Sequence, residues 1–137
     1  MKRPVTEKTI IAVDPGKDKC GLAIVEPDGT IVAHEIAATA ELVKKIEPIT
    51  AAFPAAVIVM GDGTTSKAAR EKISAAFPTH TIEVIDEYRS TEEARSLYFA
   101  DNPPQGWKRF LPRGLLSPPV PIDDYAAVVL ARRFLRM

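Results

Sequence analysis

Apolar residues in the first third of the chain fall in three short runs separated by turn sequences. The runs occupy positions 9–13, 19–26 and 30–37 and are rich in Ile, Val and Ala. The separators are DPGKD at 14–18 and PDG at 27–29. Pro presets one turn angle and Gly accepts angles that other residues resist, so these separators favour tight turns. The pattern therefore predicts three consecutive antiparallel strands.

The rest of the chain alternates between helical and strand patterns. Apolar residues recur at helical spacing over 39–53, and 55–61 is a nearly continuous apolar run, as in a strand covered on both faces. Ser90, with Glu93 three residues later, has the spacing of a capping box. The remaining predicted elements are a helix ending near Phe77, a strand at 80–86, a helix at 90–100 and a helix at about 123–135. Because strands that alternate with helices add in parallel to a sheet, the predicted class is α/β: a mixed five-stranded sheet of three antiparallel strands and two parallel additions, flanked by helices.

The segment at about 102–121 reads NPPQGWKRFLPRGLLSPPVP, which is too rich in Pro and Gly for regular structure and predicts a long loop. Two aromatic residues stand among three basic ones in this loop: Trp107, Phe110, Lys108, Arg109 and Arg113. This mixture suits stacking on bases and neutralising phosphates. The alternative is that the apolar side chains fasten the loop to the body of the protein.

Length and composition are those of one ordinary globular domain, which we expect to comprise residues 1–137. Hydrophobic residues make up 46% and charged residues 26%. No apolar run approaches the roughly 20 residues that cross a bilayer, and the start does not resemble a secretory signal, so a cytoplasmic location is expected. Cys20 is the single cysteine, which excludes an internal disulfide and a multi-cysteine zinc site. Neither His34 nor His80 has a metal-ligand neighbour in sequence, and we expect both at the surface or at a strand edge.

Charge is balanced overall and unevenly distributed. The formal net charge is zero, so composition does not by itself indicate a nucleic-acid partner. From Asn102 onward, however, six basic residues stand against two acidic ones, which leaves the preceding part acidic. A basic end on an acidic body is compatible with a phosphate-rich partner and equally with an ordinary solvated surface.

Acidic residues stand at the ends of three predicted elements. Asp14 closes the first strand, Asp86 and Glu87 close the last strand, and Asp123 and Asp124 open the last helix. Carboxylate oxygens are the ligands that Mg²⁺ prefers, and two such ions can support phosphodiester hydrolysis. Taken together, the placement predicts a carboxylate cluster that binds two Mg²⁺ or Mn²⁺ ions. Taken singly, each acid is also explained as a turn, helix-entry or capping residue.

Four segments carry a family resemblance. They are IAVDPGKDKCGLAIV from position 11, AAVIVMGDGTTSKAAREKI from 55, VIDEYRSTEEARSLYF from 84 and PIDDYAAVVLARRFL from 121. Together they resemble the RuvC-like YqgF group of the ribonuclease H-like superfamily, whose members are described as pre-16S rRNA nucleases or Holliday junction resolvases. The similarity spans nearly the whole chain, and its most specific part is the Asp-Glu strand end followed by STEEAR.

The resemblance implies a ribonuclease H-like fold and a metal-dependent endonuclease. Its substrate would be structured nucleic acid, either precursor rRNA or branched DNA such as a Holliday junction. The acidic, metal-binding site would be carried by Asp14, Glu87 and Asp123, with Asp124 as the neighbouring alternative to Asp123. Asp62 and Asp86 are auxiliary candidates.

Three departures from the family pattern concern substrate contacts. Tyr88 stands between the Asp-Glu pair and Arg89, whereas an arginine commonly follows the pair directly. Asp18 occupies a position that is usually basic, and MGDGTT at 60–65 replaces a Gly-Leu-Pro-like turn. The nucleic-acid-binding candidates are Lys17, Lys19, Arg89, Trp107, Lys108, Arg109 and Arg113.

Two other functions remain open. A nucleic-acid-binding module could keep this fold without catalysis. The turns DPG at 14–16 and GDGTT at 61–65 could instead be phosphate loops of an actin-like nucleotide-binding domain, although such proteins close two related domains around the nucleotide. A homodimer is expected if the substrate is a four-way junction, because two sites would face two strands.

Overall fold

A computed structural model describes residues 8–63, 66–112 and 118–136. The strands are β1 (Ile10–Asp14), β2 (Lys19–Val25), β3 (Ile31–Ala38), β4 (Val57–Gly61) and β5 (Ile82–Ile85). The helices are α1 (Leu42–Ala52), α2 (Ser66–Ala76), α3 (Ser90–Asp101) and α4 (Asp123–Leu135), with short 3-10 helices at Thr39–Glu41 and Gly106–Phe110. No helix within these described ranges is both long and apolar enough to cross a membrane.

The five strands form one mixed sheet in the order β3-β2-β1-β4-β5. The first three strands pair antiparallel, with β1 beside β2 and β2 beside β3. The last two are parallel additions, with β4 beside β1 and β5 beside β4. The predicted sheet and its strand directions are therefore confirmed. β1 lies in the middle of the sheet, with antiparallel strands on one side and parallel strands on the other.

The core lies on both faces of β1, because alternate side chains of a strand point to opposite faces. Ile10 and Ala12 pack on one face with α4, and Ile11 and Val13 pack on the other face with residues of α1 and α2. All four are fully buried. Burying a Val or Ile side chain contributes about 1.5–3 kcal/mol. The central strand is therefore held from both sides, and the residue that ends it has a well-defined position.

Helix α4 lies across the sheet and is covered by α3. It contacts β1, β2, β3, β4 and β5. Polar contacts join α3 and α4 at both ends: Arg133 donates to Glu93 at 2.8 Å, and the Tyr125 hydroxyl donates to Asp101 at 3.1 Å. Glu93 is near the start of α3 and Arg133 near the end of α4, so the two helices run antiparallel. This arrangement brings the end of α3 beside the start of α4.

The predicted capping box at the start of α3 is wrong. Arg89 occupies the capping position in a left-handed conformation with φ of 58°, and Ser90 is already the first helical residue. No side chain caps this end. Glu93 instead pairs with Arg133 and Arg136, and these two arginines lower its pKa. A tertiary ion pair has replaced the local hydrogen bond that the spacing predicted.

The prediction of a wholly irregular Pro-rich loop is also corrected. The segment contains a short 3-10 helix at Gly106–Phe110. Trp107 and Phe110 in this helix are 69% and 77% exposed, so they do not fasten the loop to the body. Leu111 is only partly buried. Arg113 lies outside the described residues.

Candidate carboxylate site

Asp14 ends β1 at the edge of the sheet that faces the start of α4. It alternates with Ala12, so its side chain lies on the face covered by α4. Gly21 of β2 is its antiparallel partner. On the other side, Val13 pairs with Met60, which places Gly61 of β4 next to Asp14. The carboxylate is therefore flanked by glycines on both neighbouring strands.

Gly21 makes room for the start of α4. A Cβ at this position would overlap the carbonyl oxygen of Asp123. Since that oxygen belongs to the backbone, a larger residue could be accepted only if the helix moved. The missing side chain allows Asp123 to approach the end of β1.

Gly61 and Gly63 make room for the side chain of Glu87. A Cβ at either glycine would overlap the Glu87 carboxylate. Two further acidic side chains shape the backbone around Glu87: Asp62 accepts a hydrogen bond from the Glu87 amide at 3.0 Å, and Asp86 accepts one from the Tyr88 amide at 2.9 Å. Asp62 and Asp86 thus hold the backbone that follows β5, and the Glu87 side chain extends from this backbone toward Asp14.

Asp14 is strongly affected by its neighbours. Burial raises the pKa of its carboxyl group to about 7, with further contributions from the negative charges of Glu87 and Asp123 and from a hydrogen bond with Glu87. Burial also raises the pKa of Glu87, although the Gly63 amide and the bond with Asp14 oppose this shift. The structure therefore brings Asp14 and Glu87 into contact and sets Asp123 within electrostatic range.

Asp124 faces away from this cluster. One of its oxygens lies 2.6 Å from Nδ1 of His34 on β3, and Asp124 is not among the charges that raise the pKa of Asp14. Of the two adjacent aspartates that the sequence left as alternatives, Asp123 is the one whose charge acts on Asp14.

The residues fit a hard dication in chemistry, although no ready-made ligand set is present. Within the described ranges, no group of three or more His, Cys, Asp or Glu side chains is arranged to hold a metal ion. Two observations nevertheless fit a cation: an oxygen of Glu87 is buried without a hydrogen-bond partner in the described structure, and burial together with the negative charges of Glu87 and Asp123 raises the pKa of Asp14. A cation would relieve both conditions, since it binds carboxylate oxygens and offsets their repulsion.

The nucleic-acid-binding candidates lie at the surface near the ends of these elements. Lys17 is exposed in the turn that follows Asp14, and Lys19 is exposed as the first residue of β2. Arg89 is exposed two residues after Glu87, with its guanidinium 5.6 Å from the ring centre of Tyr88. The exposed Gly106–Phe110 helix presents Trp107, Lys108 and Arg109.

Sequence reasoning missed two kinds of contributor to the site. Glycines inside strand patterns indicate close approach of another group, so Gly21 and Gly61 could have been noticed as neighbours of Asp14. His34 had no such signal. Its partner Asp124 is 90 positions away in the sequence, and only the packing of α4 on the sheet brings the two together.

Comparison with solved structures shows the fold. The chain is similar to the Thermus thermophilus RuvC structure, with a TM-score of 0.54, 13% identity and 90% of each chain covered. This likeness shows a ribonuclease H-like fold, so the predicted fold class is confirmed. A predicted sugar kinase from Cytophaga hutchinsonii has a TM-score of 0.44 at 13% identity, covering 64% of this chain and 38% of that one. A ROK family protein from Streptococcus pneumoniae has a TM-score of 0.42 at 14% identity, covering 68% and 39%.

The sequence matches no family model and no curated protein. Membership of the YqgF group therefore stays a prediction.

The two glycines beside Asp14 should respond differently to substitution. We expect Gly21→Ala to lower the free energy of unfolding by about 1–3 kcal/mol, because the new methyl group meets helix backbone. Gly61→Ala meets the movable end of Glu87 and should cost less than about 1 kcal/mol. Urea unfolding measures both. The matched control is Gly61→Ala in a Glu87→Ala background, where the cost should vanish; an equal cost in both backgrounds would contradict the assigned contact.

Stability should depend on pH through Asp14. Its folded pKa of about 7 lies above the ordinary value of 3.8, so the folded state binds more protons than the unfolded state between these values. The stabilising effect of that proton is complete below about pH 4 and is lost as the pH rises through 7. In EDTA at pH 8 we expect Asp14→Asn to be more stable than the wild type by about 1–2 kcal/mol, a reduced figure because the carboxyl is partly solvated.

Urea unfolding at pH 5 and pH 8 measures this difference. Asp28→Asn is the control, because Asp28 is exposed and its pKa is lowered by hydrogen bonds to Thr30. An Asp14→Asn protein that is less stable than the wild type at pH 8 would show that burial and the neighbouring charges do not disfavour the ionised Asp14 carboxylate.

Proposed function

We propose that this protein is a metal-dependent endonuclease that hydrolyses phosphodiester bonds in structured nucleic acid. The observation that carries the proposal is the position of Asp14, whose carboxyl contacts Glu87 and experiences the charge of Asp123 at one edge of the sheet. Acidic residues from three distant parts of the chain are thus close enough for Glu87 to contact Asp14 and for the charge of Asp123 to act on it. Such a concentration of negative charge is unfavourable unless it binds something positive.

In this proposal Asp14, Glu87 and Asp123 hold Mg²⁺ or Mn²⁺. When bound, such ions activate water and compensate negative charge on the phosphate and the leaving oxygen. The chain's own contribution is to position the ligands. The Gly63 amide and the Asp62 carboxylate orient Glu87 and its backbone. Asp14 carries a proton near neutral pH when no cation compensates the cluster, and it would release that proton on binding one.

A basic and aromatic surface would contact the nucleic acid. Trp107 and Phe110 are exposed, and the guanidinium of Arg109 lies 4.9 Å from the ring centre of Phe110. Exposed aromatic rings beside basic side chains bind unpaired nucleotides by stacking and by neutralising phosphates. The segment follows α3, whose last residue Asp101 accepts a hydrogen bond from Tyr125, two positions after Asp123. Stacked nucleotides would therefore lie on the Asp123 side of the site.

The substrate is either precursor rRNA or branched DNA. A four-way junction would call for a homodimer with two sites, whereas an RNA end requires a single site. We also propose that the whole chain, residues 1–137, forms one cytoplasmic domain.

One observation favours a second function, a nucleic-acid-binding module without catalysis. Among the described residues, no three potential ligands are arranged to hold an ion. A binding module would keep its affinity for nucleic acid after Asp14 is replaced, whereas a nuclease would lose cleavage.

Cleavage of a panel of junction DNA and precursor rRNA substrates with Mn²⁺ tests the proposal. We expect Asp14→Asn to lose at least about 100-fold in rate, because charge compensation at the phosphate is lost. Mn²⁺ should also raise the melting temperature of the wild type and not that of Asp14→Asn. Asp28→Asn serves as the control, because Asp28 is an exposed carboxylate outside the site. Wild-type protein that binds the substrates without cutting any of them would favour the binding module.

The basic surface is tested by salt dependence. Replacing Lys108 and Arg109 by alanine should reduce the slope of log affinity against log salt by about 1–2, since each contact with single-stranded nucleic acid contributes about 0.7. Trp107→Ala should weaken binding with little change of slope, because stacking releases no counterions. The control replaces Lys44 and Lys45 of α1, which are also exposed. An unchanged slope in the Lys108 and Arg109 variant would remove this surface from the proposal.

A further inference from the structure

We propose that His34 is a positioning residue, which holds Asp124 on β3 and thereby leaves Asp123 as the aspartate of α4 that completes the carboxylate site. This inference rests on the proposed function. It assigns different roles to two adjacent residues of the same type. Asp124 anchors the start of the helix, and Asp123 serves the cation.

The contact between His34 and Asp124 is short and partly shielded from water. Nδ1 of His34 lies 2.6 Å from an oxygen of Asp124, and the two side chains are 30% and 14% exposed. His34 pairs with Ala23 across β2 and β3, and Ala23 pairs with Ala12. Directly paired residues share a face of the sheet, so His34 lies on the face that α4 covers. The bond therefore joins the first turn of α4 to an edge strand.

The start of α4 has no side-chain cap to set its position. Ile122 occupies the capping position and offers no side-chain hydrogen bond. Asp123 and Asp124 follow as the first two helical residues. Tertiary contacts must therefore position this end. Among the described residues these contacts include the close approach of Asp123 to Gly21, the bond between Asp124 and His34, and the bond from Tyr125 to Asp101 at the end of α3.

The bond also keeps the Asp124 carboxylate from competing with Asp123 for the cation. The second oxygen of Asp124 is buried and has no hydrogen-bond partner in the described part of the chain. Without His34 the whole carboxylate would lack a partner beside Asp123. A buried carboxylate without a partner is unfavourable, and a new position nearer the cation would relieve it. The bond to His34 gives one oxygen of Asp124 a partner in its present position.

Aromatic packing fixes the imidazole ring. The ring of Tyr125 lies against it, with ring centres 4.9 Å apart. Tyr125 is itself held by a hydrogen bond from its hydroxyl to Asp101 at 3.1 Å and by an edge contact with Tyr98. The histidine is thus placed by groups on α3 and α4 as well as by β3, which suits a positioning role.

Mn²⁺ affinity measured by calorimetry tests this role directly. We expect His34→Ala to weaken Mn²⁺ binding by about 10-fold, as is typical when a group that orients a metal ligand is removed. His34→Asn should restore affinity to within about 3-fold, since an asparagine amide can stand where Nδ1 stands and donate to Asp124. Glu35→Ala is the control, because Glu35 is the next residue of β3 and pairs only weakly with Lys45 at 3.8 Å.

A double-variant cycle and a metal-free measurement complete the test. Asp124→Asn combined with His34→Ala should weaken Mn²⁺ binding no more than His34→Ala alone, because both act through one bond. Without metal, hydrogen exchange at the amides of residues 126–129 should be faster in His34→Ala and normal in His34→Asn.

Each outcome separates the two proposals. If the wild type binds no Mn²⁺ but exchange accelerates in His34→Ala, the metal-dependent function fails and the anchoring role of His34 stands. If Mn²⁺ affinity and exchange are both unchanged in His34→Ala, the inference about His34 is overturned. Additive effects in the double variant would also overturn it, since they would mean that the two residues act separately.

Discussion

The burial of one carboxyl group beside two others is the constraint around which this edge of the molecule is arranged. Asp14 ends β1, a strand that is buried on both faces, and Glu87 and Asp123 approach it from opposite sides. Their approach depends on two residues without side chains, Gly21 and Gly61. Burial, together with the negative charges of Glu87 and Asp123, raises the pKa of Asp14 to about 7, so a carboxyl group that is ordinarily charged holds a proton near neutrality.

The rest of the fold makes this unfavourable contact tolerable. β1 is buried on both faces, and α4 contacts every strand of the sheet. The free energy that stabilises this core is far larger than the penalty of one crowded carboxylate. Arg89, next to the site, is a smaller example. Its backbone is left-handed, which is unfavourable for a residue other than glycine, and the surrounding structure compensates for that cost. Local features that are unfavourable in isolation are thus concentrated at one edge.

The sheet could be predicted because its signals are local. Apolar runs, turn residues and helical spacing each lie within a few positions, and together they determined the five strands, their directions and the four helices. The start of α3 shows the limit: Ser90 and Glu93 have the spacing of a capping box, yet Arg133 and Arg136 take Glu93. Predicting these ion pairs requires knowing that α3 and α4 run antiparallel. The sequence around Ser90 does not contain that information.

The same limit explains why the sequence predicted which acidic residues belong to the candidate site but not how they are arranged in it. The sequence places Asp123 and Asp124 side by side, and either could serve. Successive residues of a helix point about 100° apart, so only one of them can face Asp14. What decides between them is a partner for the other, and His34 supplies it from β3. In the proposed site, the identity of the third carboxylate is therefore a property of the packed sheet and helix, and it follows from a bond that lies outside the carboxylate cluster.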